Sequence, residues 1–264
     1  MKILTICIIS HERPEMLKRM MNSLEHLSQN KEIDIIVTDN SVLKAKEIRS
    51  LFDKDLISFV LYTKEGCSQY ENYINGLEKS KSKYICFFHD DDFTSITNKE
   101  LSKNIDILKS SKDNRLYYLD SISYSDYKPF FLHIPHKEIA QPYSKGAYPF
   151  TLPVFPCWIY KNNKDLRNAI NTNFKYRPFG KYSDILIIES LLEKSSYLTT
   201  KLFGLYLHIQ HESSDSSKRN FKSRFYLCKH TLKKSRNRDK PKILLNFILC
   251  TLNSILKSHK IKNG

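Results

Sequence analysis

Tyr-Ile-Cys-Phe-Phe-His-Asp-Asp-Asp, residues 84–92, is a short apolar run that passes without a break into one imidazole and three carboxylates. A continuous apolar run of this length, with aromatics in it, is the pattern of a strand covered on both faces. In open sheets of such strands, ligands gather beyond the carboxyl ends, so the polar end of the run is where chemistry is expected. Asp90, Asp91 and Asp92 repel one another and are poor structural choices unless solvent or a cation screens them. Hard divalent cations such as magnesium and manganese take oxygen ligands and keep phosphate oxygens and waters in their shell. An acidic turn ahead of a helix at 98–109 is the alternative, and the apolar strand directly in front favours the metal.

Working back toward the N-terminus, residues 3–9 (ILTICII) form another continuous apolar run with β-branched members. Pro14 then opens a helix with Leu17, Met20, Met21, Leu24 and Leu27 on one face, since proline suits a first helical turn. The opening MKILTICIIS has the outline of a signal peptide, but its apolar run is short and HERPE follows where a cleavage site would be. It is read as a strand. A strand at 33–38 ends in the turn-forming Asp39-Asn40-Ser41. A helix at 44–52, a strand at 57–62 and a helix marked by Tyr70, Tyr73, Ile74 and Leu77 lead back to residue 84. Strands alternating with helices specify an α/β fold with a Rossmann-like, mostly parallel mixed sheet flanked by helices.

Toward the C-terminus the rhythm changes. A strand is expected over 115–124, and then 127–158, rich in proline and aromatics, shows no clean period. Such a segment is read as a loop-rich wall over a site. Trp158, the single tryptophan, lies at its end, suited either to stacking on a sugar ring or to the core. Helical spacing returns at Ile185, Ile188, Leu191 and Leu192, and a strand follows at 197–203. A composition boundary near 213–218 divides a domain, 1–216, from a basic helical extension, 217–264.

At 264 residues, 41% of them apolar, the chain is long enough for one α/β domain and an appendage. It has only six glycines and neither a GxGxxG nor a Walker pattern. A bound diphosphate would need a cation and basic side chains for neutralisation, because no glycine-rich loop is available. Cysteines at 7, 67, 86, 157, 228 and 250 form neither a zinc spacing nor a disulfide framework, which fits a reducing, cytoplasmic compartment. The net charge of +15 is concentrated: 218–264 carry +13 and the rest of the chain +2. A nucleic-acid-binding reading therefore rests on the tail alone, and no recognised motif supports it, so no specific nucleic acid is expected as a partner. Lys242, Asn246, Asn253, Lys257 and Lys260 share one helical face among Leu, Ile and Phe. A bilayer span needs about 20 apolar residues without such interruptions. The pattern suits a basic amphipathic helix on an anionic membrane surface, or a helix docked on the domain's own core.

Five segments in order carry a family resemblance. ICIISHERPEMLKRMMNSL resembles the opening strand and helix of family 2 glycosyltransferases, and EIDIIVTDNS their second strand. ENYINGLEKSKSKYICFFHDDD is similar to the unit leading into the family's metal motif. FGKYSDILIIESLLEKS resembles the segment with the catalytic base, and GLYLHIQHESSDS a closing strand with a late histidine. The resemblance covers roughly residues 1–216. It implies a GT-A fold and an inverting transfer from a nucleotide-sugar, UDP- or dTDP-linked, assisted by manganese or magnesium. By residue, it implies that Asp39 accepts a hydrogen bond from the nucleotide base, with Arg13 and Asn72 near that nucleotide. Asp90 would face the ribose or the metal, Asp91 and Asp92 would hold the metal, and His211 would touch the metal or the diphosphate. Asp184 would be the general base. The acceptor implied is a glycan or lipid-linked glycan of a surface polysaccharide (lipopolysaccharide, O-antigen or capsule), handled at the inner face of the cell membrane. His89 stands where family members often have Asp, and Ile209 where they often have Arg.

Overall fold

A computed structural model of the chain describes residues 2–52, 59–125, 128–133, 155–175, 183–195 and 198–210, with isolated positions between 225 and 248. The N-terminal half follows the apolar runs. β1 (Leu4–Ser10) is buried along its whole length, and α1 (Pro14–Leu24) starts on its proline and buries Leu17, Met20, Met21 and Leu24. β2 (Ile33–Asp39), α2 (Ala45–Ser50), β3 (Val60–Thr63), α3 (Gln69–Lys79) and β4 (Tyr84–His89) follow. α3 and α4 (Asn98–Ser110) each begin on a capping box, Ser68 with Glu71 and Thr97 with Glu100, which satisfies amides that a helix start leaves open.

β1, β2, β3 and β4 are parallel neighbours in the order β3-β2-β1-β4. The register sets Ser10 beside Asp39 and Ile9 beside His89, so three carboxyl ends finish at one level. Gly76 lets α3 lie close on this sheet, because a Cβ there would come within 2.6 Å of Cys7 Sγ.

The other half is mixed. β6 (Leu116–Ser125) pairs with β7 (Lys128–His133), and β8 (Trp158–Lys161) bridges β4 and β6 with antiparallel pairing to both. β9 (Thr199–Gln210) runs parallel to β6 and antiparallel to the three-residue β5 (Phe93–Ser95). The segment expected to be an aperiodic wall thus contributes β7 and β8 at its two ends. Trp158 belongs to the core: it is fully buried, with its ring 5.4 Å from that of Tyr118. The strand expected at 197–203 continues to Gln210 through an irregularity, where the β6 register shifts between Tyr118 and Asp120. Gly204, at φ +109°, supplies the backbone conformation that shift requires. α5 (Lys164–Lys175) and α6 (Ser183–Lys194) pack together, α5 being a helix the sequence reading did not anticipate.

Candidate functional site

The carboxyl ends of β1, β2 and β4 bring Ser10, Asp39 and His89-Asp90-Asp91-Asp92 together at one edge of the core. Asp39 is fully buried. Its Oδ1 accepts a hydrogen bond from Ser41 Oγ at 2.7 Å, while Oδ2 has no hydrogen-bond partner among the described residues. Burial pushes this carboxyl above its ordinary range, and the hydrogen bonds from Ser41 oppose the rise.

Asn72 lies behind the strand ends, with no exposed surface. Its amide nitrogen donates to the carbonyls of Ser10 (3.1 Å) and Thr38 (3.2 Å) and to Asn40 Oδ1 (3.4 Å). It ties β1 to β2 from beneath, a supporting place and not an open one.

Arg13 caps the acidic cluster from the start of α1. Its guanidinium lies 2.8 Å from Asp90 Oδ1 and also hydrogen-bonds Asp91 Oδ2, while the Arg19 guanidinium donates to the Asp91 carbonyl at 3.2 Å. Asp90 is fully buried and accepts the His11 amide at 3.1 Å. Burial pushes its carboxyl up to about 7, against the pull of Arg13 and with the added repulsion of Asp91. Asp90 and Arg13 are thus brought together, with Asp90 turned toward protein donors.

Asp92 is the most heavily hydrogen-bonded of the three acids. Tyr206 Oη donates to Oδ2 at 2.6 Å, and Oδ1 receives the Ile209 amide at 2.9 Å with His208 Nδ1 at 3.0 Å. Tyr206 also accepts the His89 amide at 3.2 Å. β8 pairs β4 only over Tyr84–Cys86, so beyond it this hydroxyl takes the place of a ladder partner. The Tyr206 phenol is held well above its ordinary pKa by burial and by Asp92, and stays a donor. His89 Nε2 lies 2.8 Å from the Tyr73 hydroxyl and Nδ1 3.7 Å from Asp92 Oδ2.

One ligand atom each from His89, Asp91 and Asp92 lies within 4.8 Å of the others. Two carboxylates and an imidazole converging at that spacing fit a divalent cation. Asp91, slightly exposed where its neighbours are sealed, is the acid most open to an ion. His89 joins this group although the sequence reading treated it only as a departure. Tyr206 and His208 were also missed; their alternation on β9 puts both on the face of the acids, a period-two signal present in the sequence.

Asp184 is the second residue of α6, and its side chain lies outside the described residues. His211 lies outside them as well, as does most of the basic extension. No helix among the described residues is long and apolar enough to cross a membrane.

The family model for glycosyl transferase family 2 matches residues 5–148, more than half of the chain. No curated protein matches the sequence. Solved structures of S. aureus TarS share the fold. One TarS structure is 15% identical with a TM-score of 0.59, and the alignment covers 94% of this chain and 43% of that one. This protein therefore spans less than half the length of that TarS chain. TarS 1–349 in complex with UDP aligns at 14% identity and a TM-score of 0.61, covering 94% and 71% of the two chains. TarS 1–349 in complex with UDP-GlcNAc aligns at 12% identity and a TM-score of 0.56, covering 94% and 72%.

Proposed function

The chain belongs to glycosyl transferase family 2 and has its GT-A fold, and from that premise we propose that it transfers a sugar, with inversion, from a nucleoside-diphosphate donor to a hydroxyl of a glycan acceptor. The observation that carries this reading is the pairing of a buried acceptor oxygen, Asp39 Oδ2, with an acidic, cation-compatible cluster, on the ends of the two strands that flank β1. A nucleotide offers both complements: a base with a ring N–H and a diphosphate that needs neutralising. UDP and UDP-GlcNAc are bound by TarS, a protein of this fold, and a UDP- or dTDP-sugar is the donor class proposed here.

Asp39 accepts from the base. Asp91, with His89 and Asp92 beside it, holds a divalent cation, which supplies Lewis-acid stabilisation of the leaving diphosphate. The imidazole favours manganese over magnesium, whose shell is oxygen. Arg13 tempers the repulsion among Asp90, Asp91 and Asp92, and His211, next in the sequence after β9, is the residue proposed to touch the metal or the diphosphate. Asp184 takes the proton from the acceptor hydroxyl as it attacks the anomeric carbon. Melting of the purified protein tests the site: UDP with manganese should raise the melting temperature and UDP in EDTA should not. Equal stabilisation in both would remove the cation from the reading.

We place the enzyme in the cytoplasm, peripheral on the inner face of the membrane, with 1–216 as the catalytic domain and 217–264 as the membrane-binding extension. The +13 charge of 218–264 supports this, as do Leu244, Leu245 and Ile248, exposed in that extension. A lipid-linked glycan of surface-polysaccharide assembly is then a fitting acceptor. Truncation after residue 216 should release the protein from anionic vesicles; full-length protein that ignores them would refute the placement.

A further inference from the structure

Glu12, at the turn between β1 and α1, has the most unusual backbone among the described residues of the site. Its φ is +56°, the only left-handed value at a non-glycine among the described residues, a conformation disfavoured for any residue with a Cβ. What holds it there is a set of hydrogen bonds to the β2–α2 loop. Glu12 Oε1 accepts the amides of Val42 (2.6 Å) and Leu43 (2.9 Å), and Oε2 accepts that of Lys44 (2.7 Å). Three successive amides leading into α2 converge on one carboxylate, which they keep ionised below its ordinary pKa despite the cost of desolvation.

The clamp does not stop at the loop. The Glu12 amide donates to Ser41 Oγ at 2.6 Å, and Ser41 donates its own proton to Asp39 Oδ1 at 2.7 Å. Asp39 therefore presents Oδ2, and not Oδ1, as the buried oxygen with no partner among the described residues. Val42 and Leu43 are themselves 56% and 88% exposed, so their side chains add little packing to this hold.

We infer that Glu12 is a positioning residue for base selectivity. By clamping the 42–44 amides it fixes Ser41, and through Ser41 it fixes the direction in which Asp39 offers its remaining oxygen. The base class favoured is a pyrimidine with a ring N–H, as in uracil or thymine, over cytosine, whose corresponding ring nitrogen is an acceptor. This rests on the reading of Asp39 as the base acceptor.

The test is calorimetric titration of the full chain with UDP and with CDP, each with manganese, alongside hydrogen exchange at residues 42–44. Glu12→Gln keeps the shape but cannot accept at both terminal atoms. It should speed exchange at 42–44 and weaken UDP about tenfold, roughly 1.4 kcal/mol, while changing CDP little, so that the preference contracts. Ser41→Ala should contract it similarly, and the double variant should be no worse than the weaker single one, since the two act in series. Faster exchange with an unchanged UDP-to-CDP ratio would make Glu12 a structural clamp only and overturn the inference. Asp39→Asn separates the two levels. If it leaves the ratio unchanged, the Asp39 reading falls and the inference with it. If it abolishes the preference while Glu12→Gln does not, the inference alone falls.

Discussion

Tyr206→Phe deletes a single oxygen from the site and provides a stringent check on how the acidic cluster is held. The side chain is fully buried, and its hydroxyl serves two partners, Asp92 Oδ2 at 2.6 Å and the His89 amide at 3.2 Å. Losing a hydrogen bond to a charged group costs about 1.5–3 kcal/mol, and stranding a buried amide adds about 1–3 kcal/mol. Partial relaxation reduces the sum, so a loss of about 3 kcal/mol is expected. For a chain of this size that is a drop of roughly 6–12 °C in melting temperature. Urea unfolding of the metal-free protein gives the free energy directly, and pairing the change with Asp92→Asn in a double-mutant cycle isolates the shared bond. A loss under about 0.5 kcal/mol, the ordinary range for surface changes, would refute the reasoning that Tyr206 secures Asp92.

Two further outcomes follow from the site. The Asp90 carboxyl, raised by burial from 3.8 to about 7, binds its proton more tightly in the folded chain than in the unfolded one. Its contribution to stability is therefore fully present at low pH and is lost as pH rises from about 4 to about 7. Asp90→Asn should gain on the parent protein across that window in urea titrations of the metal-free protein, and parallel pH profiles would show that Arg13 keeps Asp90 ionised throughout. Asp184→Asn should retain UDP binding with manganese and lose turnover, the signature of a group acting in the transition state; turnover within a few-fold of the parent would move the base elsewhere.

Much of the parallel half was legible because its signals are local. β1 and β4 are unbroken apolar runs, and α1 carries its burial at helical spacing behind a proline. β5 and β8, three and four residues long, were not legible, since strands that short show no period and exist by pairing with distant partners. α5 was readable in principle: Leu166, Ala169, Ile170 and Asn173 are buried at helical spacing, and Asn163 Oδ1 accepts the amides of Asp165 and Leu166 at its start. The acidic cluster could be located from the sequence, but the different environments of its members could not. Adjacent in the chain, Asp90 faces Arg13 and Asp92 faces Tyr206 only because separate elements converge on them.

The bonds from β9 to Asp92 have a consequence for biosynthesis. They join residues 114, 116 and 117 positions apart. A nascent chain that has emerged only through β4 and α4 already carries every acid of the cluster, yet lacks Tyr206, His208 and the Ile209 amide. Until β9 reaches its place between β6 and β5, Asp92 has none of the donors that make its burial tolerable. The cluster is thus completed by the last of the described strands in chain order, a pairing of long sequence separation and a slow event in folding. The cation affinity proposed for the cluster should accordingly appear late, giving the growing chain little capacity to capture metal before its fold is closed.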